Sequence, residues 1–179
     1  MSANFVAAGI ARISDDNDEY GVTTGVVNDQ EAKGVLQTIA KSEDTICLSE
    51  PEVITTNGRQ TQMSATQSVF VGGTNMEIGV RLSMTPHFLT NVSMFHLRLV
   101  ATLNQLTGEV LQPDVETVAI TNQIYLLPDQ TLYLGKDVSS GWLPGMTNAL
   151  SGPRKLLVFV TPSVVDTSGN PLSFASTNQ

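Results

Sequence analysis

Alternation with a period of two governs the middle of this chain. Met76, Ile78, Val80, Leu82 and Met84 alternate with Glu77, Gly79, Arg81, Ser83 and Thr85, just ahead of Pro86. Phe95, Leu97, Leu99, Ala101 and Leu103 alternate with His96, Arg98, Val100, Thr102 and Asn104 in the same way. A third run sets Val118, Ile120, Asn122, Ile124 and Leu126 against Ala119, Thr121, Gln123 and Tyr125. Successive side chains of a strand point to opposite faces, so each run reads as a half-buried antiparallel strand with one wet face. Pro86 is expected to stop the first. Two of the runs approach the ~9–11 residues that a tilted barrel strand needs to cross a bilayer, a length that soluble barrels also use. Leu156-Leu157-Val158-Phe159-Val160 is different, because its five apolar residues do not alternate. That pattern suits a strand covered on both faces, as in a double-walled β-structure.

One helix precedes these strands. Asn28 can cap it, Glu31 completes a capping box, and Ala32, Val35, Leu36, Ile39 and Ala40 share a face over 29–41. Residues 1–27 read as an extended lead-in, 28–166 as one β-domain, and 167–179 as a tail. Turn signals stand at Asn57-Gly58, Gly72-Gly73, Thr107-Gly108, Pro128-Asp129, Pro144-Gly145 and Ser168-Gly169. The expected class is therefore mainly β with one N-terminal helix, an α+β chain.

Charge narrows the function. Residues 1–52 carry ten acids and three bases, a net of −7, whereas 53–179 carry seven and six, a net of −1. Charged residues are 15% of the chain, below the roughly one quarter usual in soluble domains. So uncharged a β-region is expected to be covered by neighbouring copies or by lipid. No basic stripe exists for phosphate, which argues against nucleic acid. Cys47 stands alone in Ile46-Cys47-Leu48, so there is no disulfide framework, no metal-ligand set, and the thiol reads as inert and buried. No run of ~20 apolar residues can form a transmembrane helix. Residues 1–11 lack the basic start of a signal peptide. Asp15-Asp16-Asn17-Asp18-Glu19 lacks the glycine and distal glutamate of a calcium loop, and reads as a solvated turn.

Four segments in fixed order resemble the C-terminal β-domain of the bacterial secretins, the ring-forming outer-membrane channels of secretion and type IV pilus machines. They are Leu48-Ser49-Glu50-Pro51-Glu52-Val53 leading to Asn57-Gly58, then Ile78-Gly79-Val80-Arg81-Leu82-Ser83-Met84-Thr85-Pro86, then 124–136 ending at Leu134-Gly135-Lys136, then 155–165 containing Thr161-Pro162. The signature positions are Leu48, Ser49, Pro51, Val53, Gly58, Gly79, Leu82, Pro86, Gly135 and Pro162. Pro51 would fix where pairing begins, and Gly58 would close a hairpin. The resemblance implies an antiparallel domain that contributes strands to a multimeric, double-walled β-barrel. It places Gly79 beside a periplasmic gate, while a plain bulge would explain a strand glycine equally well. Candidate gate or lumen residues are Gly72, Gly73, Glu77, Gly79, Arg81 and Arg98; Trp142, Leu143 and Pro144 are the candidate lip. The gate and lip segments are short here, which suggests a minimal, divergent ring subunit.

Chemistry is sparse. His87 and His96 have no catalytic partner nearby in sequence, no G-x-S-x-G elbow occurs, and Gly72-Gly73-Thr74 lacks the lysine of a phosphate loop. Glu77, Arg81 and Arg98 read either as cross-strand ion pairs or as charged belts of a ring. The expectation is a non-enzymatic structural protein without cofactor or metal. Its partners would be further copies in a homo-oligomeric ring and other secretion or pilus components, at the outer membrane or its periplasmic face. The alternative is a monomeric envelope-associated β-domain acting as an accessory or binding module.

Overall fold

A computed structural model describes residues 2–8, 22–41, 45–49, 52–109, 112–138, 154–170 and 172. In chain order the elements are β1 (Ser2–Ala8), β2 (Val22–Asn28), α1 (Asp29–Ala40), β3 (Thr45–Ser49), β4 (Thr61–Val71), β5 (Thr74–Leu89), β6 (Met94–Glu109), β7 (Gln112–Leu126), β8 (Gln130–Val138) and β9 (Arg154–Thr161). They build two antiparallel sheets, ordered β2-β8-β9-β1-β3 and β4-β5-β6-β7. The expected mainly antiparallel, α+β class is what forms. A single copy closes no barrel: both sheets remain open.

The predicted periodicity sets the core. Val80, Leu82 and Met84 of β5, Leu97, Leu99 and Leu103 of β6, and Val118 and Ile120 of β7 all point one way and are buried. They meet Leu132 and Leu134 of β8 and Leu156, Val158 and Val160 of β9 in one cluster, so the sheets stack face to face. Each fully buried Leu or Ile contributes about 1.5–3 kcal/mol. On the far side of the five-stranded sheet, α1 packs Ile39, Val35 and Leu36 against Tyr133, Leu157 and Phe159. Thus β9 lies between a sheet and a helix, and its unbroken apolar run is explained.

The capping box of α1 is formed. Asn28 Oδ1 accepts from the Glu31 amide at 2.8 Å, and Glu31 Oε2 accepts from the Asn28 amide at 3.2 Å. Lys33 on the open face pairs with Asp29 one turn earlier.

Four expectations change. Pro86 does not end its strand, since β5 runs on to Leu89. The β4–β5 ladder finishes at Thr61↔Met84, so Pro86 lies where β5 has lost its β4 neighbour and needs no amide on that side. Thr107-Gly108 is not a turn; both residues stay in the β6–β7 ladder, opposite Asp114 and Pro113. Gly58 closes no hairpin, because β3 and β4 lie in different sheets and its turn hands the chain from one to the other. Ser2–Ala8 and Val22–Asn28, read as lead-in, are strands of the five-stranded sheet. Their apolar stretches are too short to show a period, and long-range pairing orders them.

Candidate functional site

Among the described residues no strand pairs with either edge of the four-stranded sheet, and both edges are long; Lys136 Nζ donates to one β7 carbonyl, that of Ala119, at 3.1 Å. Its order makes β4, with 11 residues, and β7, with 15, the outermost strands. Each junction within the sheet is antiparallel, so β4 and β7 run in opposite directions. A strand edge offers a row of free amides and carbonyls to any chain that can pair with it.

Gly79 is where this sheet divides. The β5–β6 ladder ends at Gly79↔Asn104, yet β4–β5 pairing continues to Val71↔Thr74 and β6–β7 pairing to Glu109↔Gln112. Two hairpin arms therefore part at this residue. Gly79 has φ +127°, and a Cβ on it would stand 2.2 Å from the Ala65 carbonyl oxygen. The β4–β5 register is continuous through Gly79, so no bulge interrupts that ladder and the glycine marks a close backbone approach. Asn104 takes over where the ladder stops: its Nδ2 donates to the Glu77 carbonyl at 3.1 Å, while Thr117 Oγ1 donates to its Oδ1 at 2.9 Å. Gly72 and Gly73 form the tip of the β4–β5 arm, with φ of 58° and 85° and open space around both. That is the both-positive pattern of a two-residue hairpin turn. Phe70, beside the tip, is 71% exposed.

At the opposite end, Asn57 stands in for a strand residue. Its side chain accepts from the Phe88 amide at 2.7 Å and donates to the Phe88 carbonyl at 3.2 Å. Gly58 donates its amide to the Pro86 carbonyl at 2.7 Å. Between these ends, the face turned away from the core is mostly polar, with Val100 and Ala119 exposed among its polar rows. His87, His96 and Tyr125 form one row across it, with His96 stacked on Tyr125 at 4.7 Å between centroids and Gln123 Nε2 2.7 Å from His96 Nε2. Arg98 lies between Thr85 and Gln123 in the next row but one along β6, and Arg81 between Ser64 and Thr102. Among the described residues the expected cross-strand ion pairs do not form. Ion pairing among the described residues is confined to Lys33 with Asp29 and Lys155 with Asp137. Neither arginine has an acid opposite it in register.

The other signature positions are scattered over the fold. Leu48 falls where the β1–β3 register slips between Cys47 and Ser49. Val53 is half-buried and lines a cavity of about 290 Å³ with Ile54, Phe88, Phe95 and Val164. Leu82 is fully buried, Pro86, Gly135 and Pro162 are buried, and none of these makes a chemical centre. Pro51, Trp142, Leu143, Pro144 and the acidic cluster 15–19 lie outside the described residues, as does the Cys47 side chain. Among the described residues no group of three or more His, Cys, Asp or Glu could hold a metal, and no helix could cross a membrane. Asn57 and Asn104 were legible only as a turn residue and a strand-end polar residue; the pairing role of each depends on a segment 31 or 27 residues away.

No protein-family model and no curated protein matches this chain. Among solved structures it is similar to a chain in the cryo-EM structure of an ETEC pilotin–secretin complex, AspS with GspD, at 12% identity and a TM-score of 0.42. That match takes in 88% of this chain, which spans 45% of the other.

Proposed function

We propose that this chain is the structural subunit of a secretin-like ring at the outer membrane, serving protein secretion or type IV pilus passage. Identical copies would join by strand addition, β7 of one beside β4 of the next. The observation that carries this is the pair of long, oppositely directed edges on a single sheet that no strand among the described residues covers. Because they are antiparallel, a neighbour in the same orientation continues the ladder without reversing it, and a repeated rotation closes it into a ring. The ordered secretin-like motifs support the same reading. The arm beyond Gly79 would be the gate element, and no catalysis or cofactor is assigned.

A monomeric accessory module is the second reading. It is favoured by the core itself, which one copy already completes between its two sheets.

Sedimentation velocity separates the two. The ring reading expects a defined multimer; a species of 19.2 kDa at every concentration supports the module. Proline at Ser64 or at Ala65 sharpens the test, since one of two adjacent strand residues turns its amide outward. The outward variant should keep the circular dichroism of the parent and lose the multimer. A multimer untouched by both substitutions would exclude β4 as the joint.

A further inference from the structure

Lys136 of β8 brings its charge to the outer edge of β7. It shares the core-facing side of β8 with Leu132, Leu134 and Val138, and in register it stands between Val22 of β2 and Leu156 of β9, both buried. Its stem therefore lies half-buried at the margin between the sheets, while the ammonium reaches out to donate to the Ala119 carbonyl at 3.1 Å. Ala119 is the midpoint of β7. Backbone alternation fixes which way that carbonyl points. Phe88 turns its amide and carbonyl to Asn57, away from β6, so Arg81, an odd number of residues earlier, turns its own to Thr102. Thr102 is thereby committed to β5, and Ala119 opposite it directs both backbone groups off the outer edge. We infer that Lys136 guards this edge: its ammonium holds the central outward acceptor of β7, and a strand adding there must first displace it.

An incoming strand would lie about 4.8 Å from β7 and present an amide to each outward carbonyl. At Ala119 that amide competes with a charged donor, and the displaced ammonium is left beneath the new strand or driven into water. Edge lysines and inward-pointing charges are a recurring defence against such pairing. The opposite edge lacks this device in its own sequence: β4, Thr61–Val71, has no charged residue and no proline. The two edges of the sheet therefore differ in readiness to pair. Joining β7 to β7 would bring two Lys136 side chains to one joint, so the guard weighs most against a two-fold dimer there. In the ring proposed above, where β4 meets β7, Lys136 would regulate the joint, and that part rests on the ring reading. The guard itself opposes any added strand.

Sedimentation velocity and hydrogen exchange across a concentration series, on the whole chain, test the guard. The parent is compared with Lys136→Met, which keeps the stem and removes the charge and donor, and with Lys136→Arg, which keeps both. Lys136→Gln takes the place of the methionine variant should that one lose the parent's circular dichroism. The neutral variant should associate at about tenfold lower concentration, the effect of one charge-assisted hydrogen bond. The outward amides of Ala119 and Thr121 should gain protection at the same midpoint, and the arginine variant should stay near the parent. A neutral variant that associates no more readily than the parent, or does so without protection in β7, overturns the inference. A parent multimer whose midpoint is unmoved by loss of the ammonium removes the guard and leaves the ring standing. A parent of 19.2 kDa at every concentration, beside a neutral variant that pairs through β7, upholds the guard and ends the ring. If both stay single at every concentration, guard and ring fall together.

Discussion

Gly79 shows how much of this fold depends on one absent side chain. Its φ of +127° and the 2.2 Å that would separate a Cβ from the Ala65 carbonyl leave no room for alanine. Gly79→Ala should lower stability by about 2 kcal/mol or more, combining backbone strain with a backbone clash. Gly72→Ala, at φ +58° in the left-handed helical region and with open space around it, meets less strain and should cost less. Urea denaturation of the two variants checks the order. The sequence marked Gly79 as unusual because a glycine interrupts an alternating strand, but the fork it permits depends on β6 and could not be read locally. Asp166 is a second case. The Asn170 side chain foremost, then the Asn170, Ser168 and Gly169 amides, hold its carboxyl below the ordinary aspartate range. A pKa depressed in the folded state stabilises above the unfolded value, and that contribution is lost as pH falls through the folded value. A carbon-detected titration should place the Asp166 midpoint below that of a free aspartate, and Asn170→Ala should raise it. A midpoint unmoved by that substitution would remove Asn170 as the cause.

Elements were legible where local and tertiary signals agree. The capping box and apolar stripe of α1 were both readable, and the helix forms over Asp29–Ala40 with Lys41 as its cap. Gly34 is its weak point. A Cβ there would meet nothing within 4 Å, so Gly34→Ala should stabilise by about 0.5–1 kcal/mol, read as a higher urea midpoint at unchanged slope. The alternating strands were equally legible, since burial on one face needs only the sequence's own period. Their ends were not. Pro86 looked like a stop because proline cannot serve a two-sided ladder, but whether a strand is two-sided at that point is set by where β4 begins. The single-sided stretch is finished by Asn57, whose two bonds to Phe88 replace a missing strand. Asn57→Ala should therefore cost about 1–2 kcal/mol and expose the Phe88 amide to exchange. Asn57→Asp, which keeps the acceptor, should retain the amide's protection.

At the scale of the molecule, the two sheets differ in what they leave undone. The five-stranded sheet has a helix on one face and the second sheet on the other, whereas no described element covers the outer face of the four-stranded sheet or its edges of 11 and 15 residues. A short, bulged or proline-guarded edge would discourage association; β4 contains no proline and pairs with β5 without interruption. The symmetry of any assembly then decides which edge is consumed. A head-to-tail ring uses one β4 and one β7 from every copy, so both edges must be covered together. A two-fold dimer built on either edge covers that edge and leaves the other bare. Hydrogen exchange followed across a concentration series separates these outcomes. In dilute protein the outward amides of β4 and β7 should exchange rapidly, while those of β5 and β6 stay protected. As concentration rises, the ring requires β4 and β7 to gain protection in parallel and at the same midpoint. Protection gained by one strand alone would mean a dimer, and the pore would have no geometric basis.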